Sequence, residues 1–195
     1  MDNGQRAQDV KKLREGLGPL PEAMVSPPFV VVSGLPGTGK THFCHCLMER
    51  YPFVRLESDT LRKVLFAPPT YSPEESVRLF QACHQLIEEL LDRGIPLIFD
   101  STNLSERHRE QLYHIADRQG ARLILVRVEA PQGVVQERLE ARVSGSNPKD
   151  NSDANWKVYQ RMKGSVQQIR RAHFAADTSR DLTPVIDKIL RELRR

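Results

Sequence analysis

Gly34-Leu35-Pro36-Gly37-Thr38-Gly39-Lys40-Thr41 match the pattern G-x-x-x-x-G-K-[ST], and their neighbours decide what the match means. Ahead of them Phe29-Val30-Val31-Val32-Ser33 is a short β-branched run that predicts a strand buried on both faces. Behind them Phe43 to Arg50 suits a helix, with Phe43 and Leu47 on one side. Strand, glycine loop and helix N-terminus together make an anion site. Glycines let backbone N–H groups turn inward around phosphate oxygens, and the helix dipole adds partial positive charge. The whole stretch from Gly34 to Thr41 is therefore a candidate phosphate cradle. Lys40 would reach the β- and γ-phosphates, and the Thr41 hydroxyl would face Mg²⁺. A chance glycine turn is the bland alternative, and the flanking strand and helix argue against it. The stretch predicts a bound nucleoside triphosphate.

Outward from this loop, short strands and helices alternate. Residues Arg6 to Leu17 predict a short helix through Val10, Leu13 and Leu17, and the Pro- and Gly-containing stretch Gly18 to Pro28 links it to the first strand. Residues 1–28 thus read as a helical extension and linker, and residues 29–195 as one α/β domain. Phe53-Val54-Arg55-Leu56 predict a second strand, with Ser58-Asp59-Thr60-Leu61-Arg62 opening a helix. Glu74 to Leu91 carry a helical apolar stripe, and Pro96-Leu97-Ile98-Phe99-Asp100 a third strand. Ser105 would cap a helix running to about Arg118. A fourth strand follows at Leu123 to Val128, then a helix at Gln132 to Val143.

Residues Ser144 to Ser152 are polar and turn-rich, suited to a lid over about 143–153 that orders when ligand closes it. A helix from about Ala154 to His173 carries Trp156, Tyr159, Met162, Val166 and Ile169, better read as core than as a base-stacking platform. A short strand at Phe174 to Asp177 and a helix opened by Thr183-Pro184 complete the chain. The order implies a parallel sheet with helices on both faces, whose ligands sit at the carboxyl ends of strands.

Composition supports this class and narrows little else. The 195 residues are 39% hydrophobic and 28% charged, enough for one sizeable core. No apolar run spans a membrane, the first residues lack a secretory signal's apolar stretch, and three unspaced cysteines suit reduced thiols, so a cytoplasmic protein is expected. Net charge is +4, with an excess at the C-terminal end: from Trp156 onward ten basic residues stand against four acidic ones. That excess suits either a solvated helix face or a phosphate-backbone footprint.

Three chemistries share such a loop. A GTPase would show N-K-x-D, and Asn147-Pro148-Lys149-Asp150 has the letters in another order. A water-splitting ATPase would carry a carboxylate directly after the strand-end acid, where Ser101 follows Asp100. A kinase needs a base near an acceptor hydroxyl, positive charge around the migrating group and a cover against water. Asp59 is the candidate base and Arg62 the candidate anchor for an anionic acceptor. Arg138 and Arg142, spaced i and i+4, would clamp the phosphates from the lid side. Asp100 would hold Mg²⁺ opposite Thr41. The plain alternatives are a helix cap for Asp59 or Asp100 and a salt-bridged surface for the arginine pair. His42, Cys44, His45 and Cys46 crowd one helix, but a zinc site there would need ligands from elsewhere. Cys83-His84 reads as core packing with an exposed imidazole.

These motifs, with Phe99-Asp100-Ser101-Thr102-Asn103 and Glu137-Arg138-Leu139-Glu140-Ala141-Arg142, resemble the kinase domain of 5′-hydroxyl polynucleotide kinases and a wider set of bacterial P-loop kinases. The likeness runs from about Phe29 to the C-terminus. It implies a P-loop kinase fold with a lid and ATP- and Mg²⁺-dependent phosphoryl transfer to a hydroxyl. By that resemblance Asp59 matches the general base, Arg62 the arginine on the acceptor phosphate, and Arg142 the lid arginine. Asp100, Thr102 and Asn103 match a D-x-T-N signature, and Asp177-Thr178-Ser179 the segment flanking adenine. The implied acceptor is the 5′-OH end of a nucleic acid. A small-molecule alcohol remains an alternative partner, as does a nucleotide-binding regulator without transfer activity.

Overall fold

The parallel sheet is there, and its faces follow from strand alternation. In a computed structural model that describes residues 3–143 and 154–194, the strands are β1 (Pro28–Ser33), β2 (Val54–Glu57), β3 (Leu97–Asp100), β4 (Arg122–Glu129) and β5 (Phe174–Asp177). They are ordered β2-β3-β1-β4-β5, and every pairing is parallel. Central β1 is buried throughout. Successive side chains leave a strand on opposite faces. Phe29 and Val31 accordingly join one core with Leu97, Phe99 and Leu125, while Val30 and Val32 join another with Ile98, Ile124 and Val126.

Helices cover both faces. The Phe29 side packs against α1 (Asn3–Glu15), α4 (Pro73–Asp92) and α5 (Glu106–Arg118), and α3 (Ser58–Leu65) contributes Leu61. The Val30 side packs against α2 (Lys40–Met48) and α8 (Thr183–Leu193). A third, smaller cluster joins α6 (Gln132–Val143) and α7 (Trp156–Lys163) through Val135, Leu139 and Tyr159, with Leu35 of the glycine loop against it. Trp156 stacks on Tyr159 at 4.8 Å between centroids, so these rings are packing groups, as read from sequence. The lid stretch Ser144 to Ser152 lies outside the described residues.

The N-terminal helix is built into the main core. Val10 and Leu13 are buried with α4, and Asp9, fully buried, accepts from Arg78 Nε at 2.6 Å and Nη2 at 2.7 Å. Those hydrogen bonds hold the Asp9 carboxyl below its ordinary range. Arg14 pairs with Glu89 further along α4.

Several local expectations gave way to tertiary partners. The helix foreseen over 154–173 stops at Lys163, leaving Val166 exposed although Ile169 is buried. The backbone beyond it is engaged elsewhere: Gln167 N–H donates to Leu104 O, and the carbonyls of Gln167 and Gln168 accept from Arg109 Nη2, each at 2.9 Å. Arg109 also donates to Asn103 O at 2.6 Å and pairs with Glu106 at 2.7 Å. It is the largest fully buried side chain among the described residues. Ser105 stands at the N-cap of α5 without a side-chain cap bond, and Gln167 Oε1 accepts the Glu106 N–H instead. At α8 the cap oxygen comes from Asp181, which accepts from Thr183 N–H, so Thr183 lies inside the helix. His84, expected to be exposed, is half-buried. Burial, and then the nearby His108, push its pKa down to about 4.

Two outcomes follow from these buried groups. Replacing Arg109 by Met leaves Glu106 and three carbonyls without their shared donor, so urea unfolding should register a loss of about 3–5 kcal/mol. For His84 the folded pKa lies below the ordinary value of 6.5, so between those values the unfolded chain binds the extra proton. Stability is therefore lost as pH falls, by about 2 kcal/mol near pH ~5 relative to neutral. Urea midpoints at the two pH values measure it, and His84→Gln should flatten the difference.

Candidate active site

Where the sheet ends, its carboxyl edge opens into a cavity of about 580 Å³. The glycine loop and the start of α2 form its floor, with Lys40 and Thr41 facing in. The ends of β2 and β3 supply Glu57, Asp59, Asp100 and Thr102 on one side, and α6 supplies Arg138 and Arg142 on the other. The sequence-predicted residues thus converge, with five exceptions.

The loop geometry explains its glycines. Gly39 has φ +86°, and a Cβ there would meet Thr178 Oγ1 at 2.8 Å. Gly37 has φ +78°, and its Cβ would strike Val135 and Leu139 of α6 at 2.9 Å. Both positions therefore demand glycine for backbone conformation and for close approach. Lys40 Nζ donates to Leu35 O at 3.1 Å, and Thr38 closes the same turn through its hydroxyl at 2.8 Å. Burial lowers the Lys40 pKa, while the carboxylates of Asp100 and Asp59 raise it.

At the end of β3, Asp100 is buried. Thr41 Oγ1 donates to its Oδ2 at 3.3 Å, and Arg55 Nη1 lies 3.5 Å from the same oxygen. Burial pushes the Asp100 carboxyl up, and Lys40 and Arg55 pull it down. Beneath it the Cys44 thiol is raised well above its ordinary range by burial and by Asp100, so it stays a neutral packing group. The Thr41 hydroxyl and the Asp100 carboxylate oxygen, at hydrogen-bond distance, are oxygen donors of the kind that could hold Mg²⁺. Among the described residues no group of three or more His, Cys, Asp and Glu is placed to hold a metal ion, and Cys46 Sγ merely lies 3.8 Å from His42.

The exceptions are Arg62, Asn103 and, within the glycine loop, Gly34, Leu35 and Thr38; Gly34 N–H donates to Thr102 O, and Thr38 is buried with its hydroxyl on Leu35 O. Arg62 is buried and turned from the cavity: it donates to Ser76 Oγ at 3.1 Å, pairs with Glu75 at 3.4 Å and lies over the Tyr71 ring. Glu75 in turn accepts the N–H groups of Thr70 and Tyr71, which fastens the loop above Arg62. Asn103, at φ +44°, is also buried, and its Nδ2 donates to Val32 O at 2.7 Å. Leu35 acts through its carbonyl, with its side chain against the α6 cluster.

Two residues at the end of β2 went unmarked by motif, Glu57 lining the cavity and Arg55 behind it. Arg55 and Glu57 form a 3.0 Å ion pair, and Thr60 Oγ1 donates to Glu57 at 2.7 Å. Their signal was two charged residues alternating with Val54 and Leu56 in a short strand. Arg138 meets Thr178, donating to its hydroxyl at 2.8 Å and its carbonyl at 2.9 Å. Arg142 donates to Ala154 O at 3.3 Å.

This loop on this sheet defines a P-loop nucleoside-triphosphate fold of the kinase-like kind. Residues 29–169 match the family described as AAA domain, and the chain belongs to that family. A search of the curated proteins found no match. Among solved structures, Chaetomium thermophilum Kti12 in complex with ADP-AlF3 is 22% identical with a TM-score of 0.67, covering 85% of this chain and 98% of its own. The Mycobacterium tuberculosis APS kinase CysC, in complex with AMPPNP and APS, is 14% identical at TM-score 0.66, covering 87% of this chain and 99% of its own. A gluconokinase from Sinorhizobium meliloti is 20% identical at TM-score 0.60, covering 87% of this chain and 93% of its own. At these identities the likeness is one of fold. No helix among the described residues is long and apolar enough to cross a membrane.

The position of Asn103 generates a direct check. Asn103→Ala removes a buried donor from the Val32 carbonyl and should cost about 1–3 kcal/mol in urea unfolding. Unchanged stability with weakened acceptor binding would instead assign this side chain to the substrate.

Proposed function

We propose that the chain is an ATP-dependent kinase that moves the γ-phosphoryl group to a hydroxyl acceptor. The observation that carries this reading is the convergence of Lys40, Thr41 and Asp100 with Asp59 on one cavity. Lys40 and the loop N–H groups would hold the triphosphate, and Thr41 and Asp100 would hold Mg²⁺, which supplies charge neutralisation between phosphate oxygens. Asp59 would take the proton of the attacking hydroxyl as the O–P bond forms and ADP leaves. Arg142, reaching in from α6, would stabilise negative charge on the transferring group. The solved relatives held with AMPPNP or ADP-AlF3 support a nucleotide as donor.

For the acceptor, the resemblance supports the 5′-OH end of a polynucleotide, and the basic excess after Trp156 would contact its backbone. That reading requires Arg62 to exchange Glu75 and Ser76 for an acceptor phosphate. A small-molecule alcohol is favoured by one observation: Glu57 and Asp59, with Ser58 and Thr102, line the cavity and suit hydroxyl donors.

Transfer of labelled γ-phosphate to 5′-OH DNA and RNA oligonucleotides, run beside nucleosides and a panel of polyols, tests both. Lys40→Ala should lower kcat by about 10²–10³, comparable to loss of one preorganised charge-stabilising donor. Asp59→Asn should abolish transfer while leaving ATP binding intact. Labelled polyols with unlabelled oligonucleotides would reject the nucleic-acid acceptor. Tight ATP binding with no transfer to any acceptor would reject the kinase in favour of a nucleotide-binding regulator.

A further inference from the structure

Thr178 stands just beyond β5, buried, where three parts of the fold meet. Its hydroxyl donates to Thr38 O at 2.6 Å and accepts from Arg138 Nη1 at 2.8 Å. Its N–H donates to Glu129 O at 2.9 Å, and its carbonyl accepts from Arg138 Nη2 at 2.9 Å. The side chain is thus held on every polar side. What it holds in turn is one peptide of the phosphate loop.

A trans peptide points its C=O and its N–H in opposite directions. With the Thr38 carbonyl drawn onto Thr178, the Gly39 N–H is turned the other way, and no acceptor among the described residues takes it. Gly39 also lets the two segments close: its left-handed backbone leaves the space in which Thr178 Oγ1 and Cβ lie 2.8 and 3.0 Å from where a Cβ would stand. We propose that Thr178, braced by Arg138, is a positioning residue for the donor nucleotide: it fixes the Thr38–Gly39 peptide so that the Gly39 amide serves a phosphate oxygen. Arg138 then acts through Thr178 rather than as a clamp on the phosphates. This rests on the reading of the loop as a phosphate cradle, though not on whether phosphate is transferred or to what.

Serine keeps the hydroxyl and valine keeps the shape, so the pair Thr178→Ser and Thr178→Val separates bonding from packing. ADP binding by titration calorimetry, with a urea midpoint for each protein, reads the result. Thr178→Val should bind ADP about tenfold more weakly, the worth of one lost hydrogen bond of about 1.4 kcal/mol. Thr178→Ser should return ADP affinity to within about twofold of wild type, within the few-tenths error of such comparisons. Wild-type ADP affinity in Thr178→Val, or equal weakness in Thr178→Ser and Thr178→Val, overturns the proposal. Should Thr178→Val not fold, Arg138→Leu removes the brace while keeping the hydroxyl. A loss of ADP affinity in Arg138→Leu that is not deepened by adding Thr178→Ala supports the relay, and additive losses overturn it. A wild-type protein that does not bind ADP at all defeats the nucleotide reading itself, which no variant result imitates.

Discussion

The ladder between β1 and β3 runs out at Val32 and Asp100, and the site depends on how the backbone beyond that point is closed. Gly34 N–H donates to Thr102 O at 3.0 Å, Asn103 Nδ2 donates to Val32 O at 2.7 Å, and Ser33 Oγ donates to Asn103 O at 3.0 Å. These bonds extend the pairing of the two strands into the two loops that follow them. Buried backbone groups at a strand end must find partners, and here each partner is in the other loop. The consequence is a fixed distance between the glycine loop and the acidic end of β3. That distance lets Thr41 face Asp100.

Behind this closure stands Arg109, which takes the Asn103 carbonyl on one side and the Gln167 and Gln168 carbonyls on the other. It ties the loop after β3 to the chain that returns from α7 toward β5. The glycine loop is braced on its far side as well, by Val135 and Leu139 against Gly37 and by Thr178 against Gly39. Three separate stretches of chain therefore press on one short loop. Its backbone shape is set by contacts from α6 and β5 as much as by its own glycines, and this is the preorganisation an anion site requires.

The strand, loop and helix were legible because their signals are local: a β-branched run, glycines at fixed offsets, an apolar stripe. The pairing of Thr41 with Asp100 was legible too, since strand-end residues in a parallel sheet share one edge. What escaped were residues whose partners are far away in sequence. Arg109 sits in Glu106-Arg107-His108-Arg109-Glu110, which reads as a solvated helix face, and only the carbonyls of residues 167 and 168 bring it inside. The same bonds explain why a well-formed apolar period past Lys163 did not become helix. Arg62 and Asn103 carry the residue types of a familiar motif, but residue type does not fix a hydrogen-bond partner. Glu75 and Ser76 take the first and Val32 the second.

The charges of the cavity are unevenly shared, and this gives the site a direction. Lys40, Arg138 and Arg142 lie along the glycine loop and α6, while Glu57, Asp59 and Asp100 lie along the ends of β2 and β3. On the acidic side Arg55 is committed to Glu57 and Asp100, and Arg62 is committed to Glu75. A polyphosphate is drawn to the first side and repelled from the second. A hydroxyl compound meets the reverse preference, because carboxylates accept its hydrogen bonds without competing for phosphate. On the kinase reading proposed above, donor and acceptor would thus be sorted by charge before either is recognised by shape. Arg62 is held by the half-buried Glu75 and by Ser76 and lies outside the cavity lining, so its guanidinium leaves this division of charge unchanged.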